Sequence, residues 1–281
     1  MVKLEYLEGL SWPGDRSKPN EDAFCHADTI AAVFDGATGI GDSPVLPADS
    51  DAAWIARKGA ESLIRYDILG ARGALRRAAM DAERDFNATK LREPAGRYEL
   101  PLASMMLVAP EHDHIVALWL GDCAALLQRP GETTQLIGDD FERRAHEGRR
   151  AARFAQEFNV APTTGKRDAF LPAMRRSRNR VNTGEGRWAF SPDAACADHA
   201  QSLAFDAPPG TLILLCSDGF LSLACDYRRY DVGGLMKAAI ENGLRSVMDE
   251  IRAIEEADAE GWRFPRFKKS DDATALVLRM I

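Results

Sequence analysis

The chain has no apolar run approaching the length needed to cross a bilayer. Its opening, MVKLEYLEGLSWPGD, carries acidic residues where a secretory signal would carry an uninterrupted apolar stretch, so the expected setting is cytoplasmic, away from the membrane. Cysteine is scarce. Cys25, Cys123, Cys196, Cys216 and Cys225 show no CxxC spacing, which argues against a disulfide framework or a zinc knuckle; several lie in apolar runs and read as core filler. The five histidines, His26, His112, His114, His146 and His199, form no HExxH and no ligand-like pair on a helix face, and His112 and His114 flank Asp113 in an expected hairpin turn. A phosphate-binding loop is also missing. Thr163-Thr164-Gly165-Lys166 lacks the leading glycine and is followed by Arg167 in place of a hydroxyl residue, while the glycines of GATGIGD fail the dinucleotide spacing. Positive charge is in deficit: the formal net charge of -7 argues against nucleic acid or anionic membrane as the partner of the whole protein.

What is present is ordinary globular material, 281 residues of which 46% are hydrophobic and 28% charged, enough for a sizeable core. β-rich apolar runs occur at Ile30 to Phe34, Ala103 to Val108, Ile115 to Leu120, Leu212 to Cys216 and Ala275 to Leu278, several too continuously apolar for a strand covered on one face only. Helical periodicity falls in two blocks, Asp51 to Leu91, split by Gly70 and Gly73, and Gly234 to Glu256. Strands and helices do not alternate strictly, so a doubly wound parallel sheet is disfavoured and an α+β fold with an antiparallel core flanked by helices is expected. Neither a linker nor an internal repeat divides the chain. The expectation is a single domain, 1–281, whose least regular part, about 138–206, forms a basic flap beside a site. That region holds Arg143, Arg144, Arg149, Arg150, Arg153, Lys166, Arg167, Arg175, Arg176, Arg178 and Arg180 against few acids, a pattern that fits a solvated helix face or contact with phosphorylated or acidic substrates. Trp188 is expected to anchor the flap.

Four aspartates share a local grammar. Asp35 in AAVFDGATG, Asp122 in ALWLGDCAAL and Asp218 in LILLCSDGFL lie where a strand should end, and Asp271 in KKSDDATALVL lies just before one. A carboxylate at a strand end is held by a rigid element yet open to solvent, which suits a hard cation such as Mg²⁺ or Mn²⁺. One such Asp-Gly is more simply a turn. Several of them, joined by Glu21 and Asp22 in KPNEDAF, would be an unstable set of like charges if they met in space without cations.

The motifs NEDA, VFDGATG, LGDCAAL, LLCSDGFLSL and SDDATALVL stand in the order and approximate spacing of the metal-dependent protein phosphatases, and over nearly its whole length the chain resembles that family, the type 2C serine/threonine phosphatases. The resemblance implies a four-layer αββα sandwich of two antiparallel sheets, with two divalent cations, Mn²⁺ or Mg²⁺, at one edge. It implies that Asp35 bridges the cations, that the Gly36 carbonyl ligates one, that Asp218 and Asp271 hold the other, and that Glu21 and Asp22 act directly or through water. Asp122 would serve a weaker third metal site, and Ser104 in LASMML would pack. The implied activity is hydrolysis of phosphoserine and phosphothreonine in phosphorylated proteins, including the substrate of a cognate kinase, by water activated between the cations.

The chain departs from that pattern at three positions. Ala37 replaces a frequent histidine after the first Asp-Gly, leaving leaving-group protonation to water. Ser17 holds the place of a phosphate-binding arginine, with Arg16 and Lys18 as the neighbouring candidates, and a lysine would lack the bidentate fork. Ser222 replaces an aspartate that would support the third metal. These departures leave two alternatives beside the enzyme: a phosphatase-like binding module with weakened or lost turnover, and a phosphatase of small phosphorylated metabolites.

Overall fold

The structure is a computed structural model that describes residues 2–112, 114–138, 141–164 and 167–281, without the side chains of 143, 164 and 167–169. Asp113, Gly165 and Lys166, and the side chains of Arg143, Thr164 and Arg167, therefore lie outside the described residues. In chain order the strands are β1 (Leu4–Trp12), β2 (Asp22–Ala27), β3 (Ile30–Gly36), β4 (Ala103–Glu111), β5 (His114–Leu120), β6 (Ala124–Gln128), β7 (Gln135–Ile137), β8 (Gln201–Asp206), β9 (Leu212–Cys216) and β10 (Ala273–Met280). The helices are α1 (Asp51–Arg65), α2 (Gly70–Thr89), α3 (Phe141–Phe158), α4 (Arg167–Arg178), α5 (Asp218–Cys225), α6 (Val232–Asn242) and α7 (Leu244–Ala257). Two five-stranded antiparallel sheets result, ordered β1-β10-β9-β6-β7 and β2-β3-β4-β5-β8. This is the expected α+β architecture.

The layering follows from strand alternation. In β3, Ile30, Ala32 and Phe34 face α1 and α2 and join a cluster with Ile55, Leu63, Leu75 and Phe190, whereas Ala31 and Val33 face the other sheet and pack with Met106, Leu215 and Leu276. Both faces of β3 are covered, which is why its sequence reads as one apolar run. The opposite sheet repeats the arrangement: Leu276 and Leu278 of β10 point inward, while Ala275 and Val277 meet Phe220, Met236 and Met248 of α5, α6 and α7. Sandwich sheets of this kind place their mutual core between two inner faces. The alternation also fixes where a residue one step beyond Val33 and its neighbour must point. Asp35 shares the parity of Ala31 and Val33, so it faces the gap between the sheets at the end of the strand.

Some boundaries differ from expectation. The first helical block divides at Gly70, whose φ of +71° starts α2, while Gly73 lies inside that helix. The block expected from Gly234 to Glu256 is two helices separated by Gly243 at φ +81°, a left-handed conformation that interrupts the ladder despite continuous periodicity on either side. Half of the strands, β1, β2, β6, β7 and β8, were not legible as apolar runs; β8, for example, is exposed at four of its first four positions and lies at a sheet edge. The basic region is more regular than its composition suggests, since α3 and α4 occupy much of it, with Pro172 inside α4. Trp188 stacks on His199 with ring centroids 3.5 Å apart. Among the described residues no helix is long and apolar enough to cross a membrane.

Candidate metal centre

The candidate residues meet at one end of the gap between the sheets. Antiparallel pairing sets Asp22 of β2 directly opposite Asp35 of β3, and Asp35 opposite Ser104 of β4, so all three side chains share the inner face. Asp122 follows β5 and accepts a hydrogen bond from the Ser104 hydroxyl. Ser104 is therefore a polar partner of the acidic group as well as a packing residue, a correction to its expected role. From the other sheet, Asp218 starts α5 immediately after β9, and Asp271 ends the loop that enters β10.

Two glycines make this convergence sterically feasible. A Cβ on Gly36 would lie 2.4 Å from the Glu21 carbonyl oxygen and 2.7 Å from that of Ala52, and one on Gly219 would lie 2.0 Å from the Asp272 carbonyl oxygen. The second contact presses the loop carrying Asp271 against the helix start carrying Asp218. In both Asp-Gly pairs the glycine is required by close backbone approach, with no left-handed turn at either position.

Electrostatics record the crowding. Burial pushes the Asp35 carboxyl well above the usual carboxylate range, and the charges of Asp218, Asp22, Asp271 and Asp122 push it further. Asp22 is raised in the same sense, first by burial and then by Asp271 and Asp272, with the Ser217 and Thr274 hydroxyls opposing. Its Oδ2 is buried and meets no hydrogen-bond partner. Asp271 is raised to about 6 by burial, with Lys268 opposing and Asp218 reinforcing the shift. A set of buried and half-buried carboxylates with an orphaned oxygen on Asp22 has the chemistry of a hard divalent-cation site. Among the described residues, no three His, Cys, Asp or Glu side chains are gathered closely enough to hold a cation as they stand. Two cationic side chains meet these carboxylates: Lys268 pairs with Asp271, and Nη1 of Arg144 lies 2.9 Å from Oδ2 of Asp218.

The remaining candidates are placed less centrally. Glu21 turns its carboxylate to the hydroxyls of Thr38 and Ser50, the latter being the N-cap of α1. Arg16 lies over the Trp12 ring at 5.2 Å, and Lys18 is 3.6 Å from Asp15; both are exposed on the loop before β2. Ser222 is buried and donates to the Gly219 carbonyl within its own helix. The amide of Ala37 donates to the Leu102 carbonyl.

Sequence reasoning passed over the residues that hold this arrangement together. Asp272 accepts from the Gly14 and Glu21 amides, each at 2.7 Å, tying the loop before β2 to the start of β10. Arg252 of α7 donates to the Asp271 carbonyl at 2.7 Å. The doubled aspartate at 271 and 272 was the available signal for the first; the second pairing has none, because nothing local marks an arginine on a helix as facing a distant loop. Asp272→Ala is expected to lower Mn²⁺ affinity by about 10- to 100-fold, the range typical of residues that orient metal ligands, with Asp272→Asn losing less. Isothermal titration of the two variants measures it.

Comparisons with known proteins bear on the family and the fold. The family model for protein phosphatase 2C matches residues 15–251. No curated protein sequence matches. Among solved structures, the chain is similar to the Mycobacterium tuberculosis serine/threonine phosphatase PstP/Ppp, at 17% identity and a TM-score of 0.59, covering 99% of this chain and 98% of that one. It is similar also to the catalytic domain of the phosphatase PstP in complex with two manganese ions, at 16% identity and a TM-score of 0.56 with both chains fully covered. The phosphatase Stp1 of Staphylococcus aureus gives 12% identity and a TM-score of 0.53 over 100% of this chain and 95% of that one. At such identities these structures speak to the fold.

Proposed function

The chain belongs to the protein phosphatase 2C family of metal-dependent serine/threonine phosphatases, and from that premise we propose that Asp35, Gly36, Asp218 and Asp271, with Glu21 and Asp22, hold two divalent cations for hydrolysis of phosphoserine and phosphothreonine in proteins. The single observation that carries the assignment is that half-buried Asp35, paired with Asp22 in the sheet register, also faces Asp122, Asp218 and Asp271 at the end of the gap between the sheets. Manganese or magnesium bound there supplies Lewis-acid polarisation of the phosphoryl group and water acidified to react near neutral pH.

The chain's own residues supply position. Asp35, Asp218 and Asp271 come from a strand end, a helix start and a strand entry, so their separation is set by two hydrogen-bonded sheets, with Asp272 clamping the facing loop. Asp122, tied to Ser104, is assigned to a weaker third site. Arg16 and Lys18, on the loop clamped by Asp272, are the cations assigned to the phosphate. Arg149, Arg150 and Arg153 on the exposed side of α3 support a flap, about 138–206, that favours acidic phosphoprotein surfaces of the kind a cognate kinase would leave. The departures at Ala37, Ser17 and Ser222 touch leaving group, phosphate and third metal, and leave the principal carboxylates in place. The sparse cysteines, without any CxxC spacing, support a reducing, cytoplasmic setting.

Purified protein with Mn²⁺ is expected to release phosphate from a phosphothreonine peptide at a higher kcat/KM than from small phosphate esters, and to stop in EDTA. Turnover that persists in EDTA contradicts the metal assignment; a preference for the small esters contradicts the assigned substrate class.

A further inference from the structure

Arg144 lies in the first turn of α3, where the helix dipole disfavours a cation. Two carboxylates, one at each end of α5, hold it there. Its Nε and Nη2 engage the Asp226 carboxylate at the C-cap of α5, and its Nη1 lies 2.9 Å from Oδ2 of Asp218 at the start of that helix. The side chain is only 9% exposed. Its two ends differ in kind. The Asp226 end has hydrogen bonds from both nitrogens, whereas Nη1 approaches Asp218 without meeting any acceptor in hydrogen-bonding geometry. The contact with Asp218 is thus mainly Coulombic, made to a carboxylate assigned above to a divalent cation. A guanidinium and a divalent cation on the same carboxylate oxygen repel each other at close range in a partly desolvated site.

We propose that Arg144 is an internal counter-cation for Asp218 that a divalent cation displaces, so that loading of the site and release of α3 from α5 form one coupled equilibrium. The inference rests on the metal assignment of Asp218. Coupling of this kind is reciprocal: whatever weakens the hold of Arg144 on Asp218 strengthens metal binding, and bound metal loosens α3.

The test combines Mn²⁺ titration calorimetry on wild type, Arg144→Gln and Asp226→Asn with hydrogen exchange over 141–158 in wild type with EDTA or saturating Mn²⁺. Arg144→Gln is expected to tighten Mn²⁺ binding about tenfold, inside the 5- to 150-fold range of ordinary coupled sites, and Asp226→Asn, which loosens the anchor from outside the cluster, to tighten it less. Exchange in α3 is expected to speed up with Mn²⁺. Unchanged or weaker affinity in both variants, or slower exchange in α3 on loading, overturns the inference while leaving the metal assignment standing. Failure of wild type to bind Mn²⁺ at all overturns the assignment itself, and the inference with it.

Discussion

Asp35→Asn is expected to lower Mn²⁺-dependent phosphopeptide hydrolysis by about 10³-fold, equivalent to about 4 kcal/mol of activation free energy, and at the same time to raise the melting temperature of the metal-free protein. The two effects have opposite signs for one reason. In metal-free protein the half-buried Asp35 carboxyl faces Asp218, Asp22, Asp271 and Asp122, so at neutral pH it must either ionise among like charges or retain a proton against the solvent. An amide of the same shape does neither. Once cations are present the same charge becomes the attractive partner, and the amide forfeits it. Asp218→Asn is expected to lose activity likewise. A variant that loses activity and stability together would mark Asp35 as a structural residue, and one that keeps turnover would remove it from the centre.

The second large effect is a pH-dependent stabilisation by metal. The Asp271 carboxyl titrates near 6 in the folded protein against 3.8 for the usual aspartate. Its folded state therefore binds the proton more tightly than the unfolded chain does, so this group's contribution to stability is complete below about pH 4 and is lost as pH rises through about 6. Cations need the ionised form, so their binding strengthens over the same window. At pH 7.5 and about 100 times the dissociation constant, Mn²⁺ is expected to stabilise the fold by about 2.7 kcal/mol, or roughly 5 to 10 °C in melting temperature, and to do little at pH 5. Melting curves at the two pH values, with Mn²⁺ and with EDTA, measure this. Equal shifts at both would show that the titrating carboxylates do not hold the metal.

Much of this was legible in the chain because strands covered on both faces leave continuous apolar runs, and β3, β4, β5, β9 and β10 all showed them. The acidic residues next to these runs were the visible part of the site. Edge strands such as β8, exposed along most of its length, and short β7 carried no such mark, and Gly243 split a helical block whose periodicity ran on undisturbed. What remained hidden was long-range pairing. Arg144 was one arginine among many in a basic stretch, and only the fold sets it between Asp218 and Asp226, more than seventy positions away. Ser104 resembled a packing residue until register placed it opposite Asp35 and within reach of Asp122.

Asp35 and Asp271, contributed by different sheets, are expected to share bound cations. Anomalous scattering from crystals soaked in Mn²⁺ decides it: two peaks are expected at the end of the gap between the sheets, one within coordination distance of Asp35 and the Gly36 carbonyl and the other reached by Asp35, Asp218 and Asp271. Peaks confined to surface carboxylates, with Asp35 left unligated, would contradict it.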